Sequence, residues 1–83
     1  MTLHVRYYAS ARTAAGTESE TVSVPEGASV ADVITELGSR HPDQLARVLK
    51  AASFLLDGVA VRLQSQAVLD GAQLDVLPPF AGG

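Results

Sequence analysis

The segment 29-SVADVITELG-38 decides how this chain is read. Ser29 is followed three residues later by Asp32, the spacing with which a side-chain oxygen and an acidic side chain cap each other at a helix start. Val30, Val33, Ile34 and Leu37 then fall at i, i+3, i+4 and i+7, which is one apolar stripe on a 3.6-residue period. Gly38 is the expected stop. The segment therefore predicts one main amphipathic helix, with Val33, Ile34 and Leu37 in a core shared with Val5, Val22 and Val76.

Outward from this helix, the period changes to two. Upstream, Pro25-Glu26-Gly27 reads as a turn, and "ETVSV" (20–24) alternates with Val22 and Val24 inward. Before it, "ASARTAAG" (9–16) suits a short helical turn closed by Gly16. "LHVRYY" (3–8) is a strand with Leu3, Val5 and Tyr7 on one face and His4, Arg6 and Tyr8 on the other. Downstream, a second helix is expected to begin near Pro42, with Asp43 favouring the helix dipole and Leu45, Val48 and Leu49 as its apolar face. "SFLLDGVAVRL" (53–63) reads as a hairpin about Asp57-Gly58, with Val59, Val61 and Leu63 alternating beyond the turn. Asp70-Gly71 is a second turn. "QLDVL" (73–77) is the last strand, with Leu74 and Val76 inward and Leu77 outward. Pro78 and Pro79 lack amide donors, so pairing stops there.

Strands on both sides of one main helix make an α+β domain: a mixed sheet with the helix on one face and the first and last strands as central neighbours. Residues 1–77 are the domain and 78–83 a tail leaving the middle of the sheet. On the outward face Tyr8 and Leu77 form an expected docking patch, with Arg62 nearby and Arg12 at the rim.

The chain has 83 residues, 47% of them hydrophobic, including ten Leu and ten Val, so one core built by packing alone is feasible. It has no cysteine, hence no disulfide and no thiolate metal site. Six basic residues against nine acidic ones give a net charge of −3, and Arg6, Arg12, Arg40, Arg47, Lys50 and Arg62 are scattered. A nucleic-acid surface needs clustered positive charge. No apolar run approaches the ~20 residues of a membrane span, and "MTLHVRYY" lacks the apolar stretch of a signal peptide. A cytoplasmic location is the expectation.

Catalytic patterns are absent. There is no phosphate loop, no HExxH and no nucleophile elbow. His4 reads as a solvated strand residue and His41 as a loop residue. Asp57, Asp70 and Asp75 read as turn and surface residues, with no pair spaced for acid–base work. What stands out is the ending, 77-LPPFAGG-83. A carboxylate on glycine is an unhindered acyl group, and without Cβ atoms at Gly82 and Gly83 the chain can enter a narrow channel. The six residues after Leu77 reach ~20 Å when extended. Pro78 and Pro79 stiffen the base of this tail, and Phe80, followed by Ala81, offers an apolar anchor. The working group is expected to be the Gly83 carboxylate.

"RYYASARTAAG" (6–16), with Arg12 and Gly16, and "DGAQLDVLPPFAGG" (70–83) together resemble the ubiquitin-like sulfur carriers of the MoaD/ThiS family, and among them the small subunits of molybdopterin synthase. The sequence departs from the family pattern at Thr13 and at Ala72-Gln73, where acidic residues are frequent. The resemblance implies a β-grasp (ubiquitin-like) fold and a carrier cycle. A ubiquitin-activating-type adenylyltransferase uses ATP to adenylate Gly83, a sulfur donor enzyme displaces AMP to leave a thiocarboxylate, and the large synthase subunit takes the tail so that sulfur reaches a pterin precursor. It further implies a heterotetramer with the large subunit, a chain that binds no cofactor itself, and a contribution to the sulfurtransferase complex without a catalytic side chain. Two alternatives stand beside it. One is a sulfur carrier for thiamine or cysteine synthesis, although thiamine carriers are usually shorter and lack an insert such as 42–52. The other is a conjugating protein modifier, in which Lys50, the single lysine, limits self-attachment.

Overall fold

The computed structural model describes residues 1–79. Its elements, in chain order, are β1 (Thr2–Tyr7), α1 (Ser10–Ala15), β2 (Ser19–Ser23), α2 (Val30–Arg40), α3 (Gln44–Ala51), β3 (Ser53–Leu56), β4 (Val59–Ala60) and β5 (Gln73–Leu77). The strands form one sheet in the order β2-β1-β5-β3-β4. β1 and β5 run parallel at its middle, with Val5 beside Leu74 and Tyr7 beside Val76, and the other pairings are antiparallel. This is the mixed β-grasp sheet expected from the sequence, with β5 central.

Alternation sets the core. Leu3, Val5 and Tyr7 of β1, Val22 of β2, Phe54 and Leu56 of β3, and Leu74 and Val76 of β5 are buried on one face. Val30, Val33 and Leu37 of α2 and Leu45 and Leu49 of α3 join the same cluster. Ile34 is only partly buried at its edge, so the predicted core position is corrected. Val30, fully buried, takes the deeper place.

The start of α2 is capped as the sequence predicts. Ser29 accepts from the Asp32 amide, and the Asp32 carboxylate accepts from the Ser29 amide at 2.8 Å. The sequence did not disclose that the loop after β4 completes this cap. The Val30 and Ala31 amides donate to the Gln66 and Gln64 carbonyls at 2.9 and 2.8 Å, satisfying donors that no turn of the helix itself can reach. Buried Val68 anchors that loop. Gly38 does not end α2, which continues to Arg40; a Cβ at Gly38 would meet only Leu49 Cδ1, at 3.9 Å. The stop comes instead at His41, whose backbone (φ −132°, ψ 73°) has left the helical region, because Pro42 disfavours a helical residue before it. α3 begins at Gln44, two residues beyond Pro42.

The Asp57-Gly58 hairpin forms with positive φ at both residues (49° and 83°), the backbone that a two-residue type I′ turn requires. Beyond it β4 is two residues long, and Val59 and Leu63 are solvent-exposed, so the longer alternating strand is not formed. The Asp57 carboxylate accepts from the Gln73 amide at 2.9 Å, and that of Asp70 from the Thr2 amide at 2.7 Å. Each turn aspartate thereby holds the first paired residues of a central strand.

Candidate functional site

With Leu74 and Val76 in the core, Gln73, Asp75 and Leu77 of β5 lie on the open face of the sheet. The register sets His4 beside Gln73, Arg6 and Leu55 on either side of Asp75, and Ser53 beside Leu77. The β1 strand ends at Tyr7, but the Tyr8 amide still donates to the Val76 carbonyl at 3.2 Å. Tyr8 therefore sits at the end of β5, next to the tail. Tyr8, Leu77 and Pro78 are half-buried and Pro79 is exposed.

The structure brings together Tyr8, Leu77, Pro78 and Pro79 at the tail's base. Arg12 is exposed on α1, and Arg62 is exposed beyond β4, two strands from β5. Phe80, Ala81, Gly82 and Gly83 lie outside the described residues. The open face has two characters. Toward β3 and β4 it is apolar, through Leu55, Ala60 and Leu77. Toward β1 and β2 it is a hollow of about 280 Å³ whose lining includes His4, Arg6, Ser19, Thr21 and Gln73.

Asp75, expected at the surface, is only 8% exposed, which corrects that reading. A residue at the centre of the central strand is shielded by the side chains of both neighbouring strands, even on an uncovered face. Its Oδ1 accepts from Gln73 Nε2 at 2.9 Å.

A second polar cluster lies on the helix side, and sequence reasoning missed it. Glu20 Oε2 accepts the Tyr7 hydroxyl at 2.6 Å and lies 2.7 Å from His41 Nε2, while Oε1 accepts from Arg40 Nη1 at 3.1 Å. Arg40 Nε also bonds Glu36 at 2.9 Å. His41 is thus not a free loop residue, and its ring meets that of Tyr7 edge-on at 6.2 Å between centroids. Burial pushes the Glu20 carboxyl upward, but the hydrogen bonds from Tyr7, His41 and Arg40 outweigh it and leave the group below its ordinary value. Burial first, and then the Glu20 carboxylate, push the Tyr7 hydroxyl above the usual phenol range. The one available signal was parity, because Glu20 shares the inward face of β2 with Val22. The cluster is a clasp whose acceptors are already filled, not a reactive group.

Among the described residues no three His, Asp or Glu side chains gather as a metal site, and no helix is long and apolar enough to cross a membrane.

The ThiS family matches the chain over residues 5–83. The chain is similar to the molybdopterin synthase sulfur carrier subunit of Chlamydomonas reinhardtii, 33% identical over 84 residues and covering both chains completely. It is 32% identical to the protein of the same name from Homo sapiens, over 98% of this chain and 93% of that one. The fold is similar to the crystal structure of SAMP1, a small archaeal modifier protein of Haloferax volcanii, with a TM-score of 0.88, 26% identity and full coverage of both chains.

Proposed function

The chain belongs to the ThiS family, and from that membership we propose that it is the sulfur-carrying small subunit of a molybdopterin synthase. The observation that carries this is the end-to-end alignment with relatives of that name, joined to the motif Pro78-Pro79-x-x-Gly82-Gly83. The geometry supports it: the tail's base continues β5, the middle strand of the sheet.

In this reading all chemistry passes through the Gly83 carboxylate. A carboxylate is a poor electrophile until one oxygen becomes part of a leaving group. A ubiquitin-activating-type adenylyltransferase therefore forms an acyl-adenylate from ATP, releasing pyrophosphate. A sulfur donor enzyme then displaces AMP, and the resulting thiocarboxylate enters the large subunit and gives its sulfur to a pterin precursor, with hydrolysis of the acyl–sulfur bond by water supplying the oxygen that regenerates the carboxylate. ATP belongs to the activating partner, and this chain supplies no cofactor and no catalytic side chain. The open face around Tyr8 and Leu77 docks the large subunit, in a heterotetramer with two small subunits flanking a dimer of the large one. The cycle is assigned to the cytoplasm.

The test is intact-mass analysis after incubation with ATP, the activating enzyme and a sulfur donor. Replacement of one oxygen of the chain by sulfur, a gain of ~16 Da from the atomic masses, is expected, followed by conversion of the pterin precursor when the large subunit is added. Likeness to SAMP1 favours one second reading, conjugation of Gly83 to protein amines. It shares the adenylation step but ends in covalent adducts on other proteins, which the same mass analysis separates.

A further inference from the structure

The open face carries one feature that docking through its apolar half leaves unexplained. Asp75 stands at the centre of that face, more than nine-tenths buried. Its Oδ1 is held by Gln73, whereas Oδ2 accepts no hydrogen bond from the described residues and is not sealed from solvent. The nearest cation in register, Arg6, turns the other way and faces Glu18 at 3.9 Å, with both side chains about half exposed or more (49% and 63%). The residue is therefore largely buried, with one carboxylate oxygen bonded to Gln73 and the other still open, beside Leu55 in register and two residues before Leu77 on the same face.

A partner that takes the tail abuts the end of β5. Asp75 lies eight residues before Gly83, about 26–29 Å of extended chain, and only two before Leu77, the last residue before the tail. Docking over Leu77 and Leu55 removes the remaining water from Oδ2. A buried charge left without a donor is strongly unfavourable, whereas one matched by a fixed cation is tolerated and selective. Resting on the carrier reading above, we propose that Asp75 is the specificity-determining acceptor of the docking face, and that the large subunit presents a guanidinium or ammonium group to its free oxygen.

The experiment measures affinity for the large subunit of the same organism by calorimetry, with Asp75→Asn and Asp75→Ala, and with Leu77→Asp as a control on docking. Asp75→Asn keeps the shape and the acceptor for Gln73 and removes the charge. Both Asp75 variants are expected to bind roughly 30-fold more weakly or worse, the usual consequence of removing one member of a buried charged pair, while their thermal midpoints do not fall. Unchanged or tighter binding by Asp75→Ala, with Leu77→Asp weakened, overturns the assignment and leaves the docking reading in place. Unchanged binding by Leu77→Asp overturns both. A loss in Asp75→Ala that disappears when Arg6→Ala is also present overturns it too, because the donor is then the chain's own Arg6.

Discussion

The Tyr7 hydroxyl donates a 2.6 Å hydrogen bond to Glu20, from the end of β1 to the inward face of β2. The ring of Tyr7 is fully buried, while Glu20 also bonds Arg40 and faces His41 at 2.7 Å. One carboxylate thus ties the sheet to the segment where α2 ends and α3 has not begun. Removing only the hydroxyl, as in Tyr7→Phe, should cost about 1–2 kcal/mol, the low end for a bond to a charged group, since Glu20 keeps its other partners. Denaturant unfolding reads this directly; a change within error would show that the clasp adds nothing to stability.

Acidification should undo the same clasp. The folded-state value of Glu20 lies below its ordinary 4.5. Its contribution is therefore complete above the unfolded value and disappears as pH falls through the lowered folded one. Stability measured from neutral pH down to about 2.5 should drop more steeply in the parent chain than in Glu20→Gln. Parallel curves would remove Glu20 from the acid response.

Leu37 is fully buried and Ile34 only partly. Leu37→Ala should cost about 2–5 kcal/mol, a large share of the stability of a small domain. Ile34→Ala should cost clearly less, because part of its surface already contacts water. Equal costs would mean that α2 is rotated relative to the arrangement described.

Tyr8→Ala should leave the fold intact and weaken the large subunit at least tenfold, as expected for an aromatic anchor beside the tail. Circular dichroism and calorimetry together decide this. An unfolded variant would place the Tyr8 ring in the core instead.

Deleting Gly83 shifts the chain end by about 3.3–3.6 Å, and a misplacement of ~1 Å can lower a rate 10²-fold. The shortened chain should fold and bind the large subunit but transfer no sulfur. Gly82→Val should fail in the same way, because a branched side chain fills space the channel reserves for none. Sulfur transfer by the deletion variant would end the carrier reading.

The features that sit within a few residues of each other were legible without the structure. The Ser29–Asp32 cap, the inward parity of Leu74 and Val76, the Asp57-Gly58 turn and the Pro-Pro-x-x-Gly-Gly ending are properties of short windows. Capping, pleating and φ preference act over such distances. Gly38 misled because its helix-ending preference is weak beside the geometric demand of Pro42 on His41. Tertiary structure alone decided the rest. The three groups on Glu20 lie 13, 20 and 21 residues away in the chain, and no window holds them together. Alternation assigns Asp75 to the open face but is silent on how deeply it lies there. Its burial depends on β5 being the middle strand, with Arg6 on one side and Leu55 on the other. Periodicity states which way a side chain points. Only strand order states what stands beside it, and burial and pairing are properties of those neighbours.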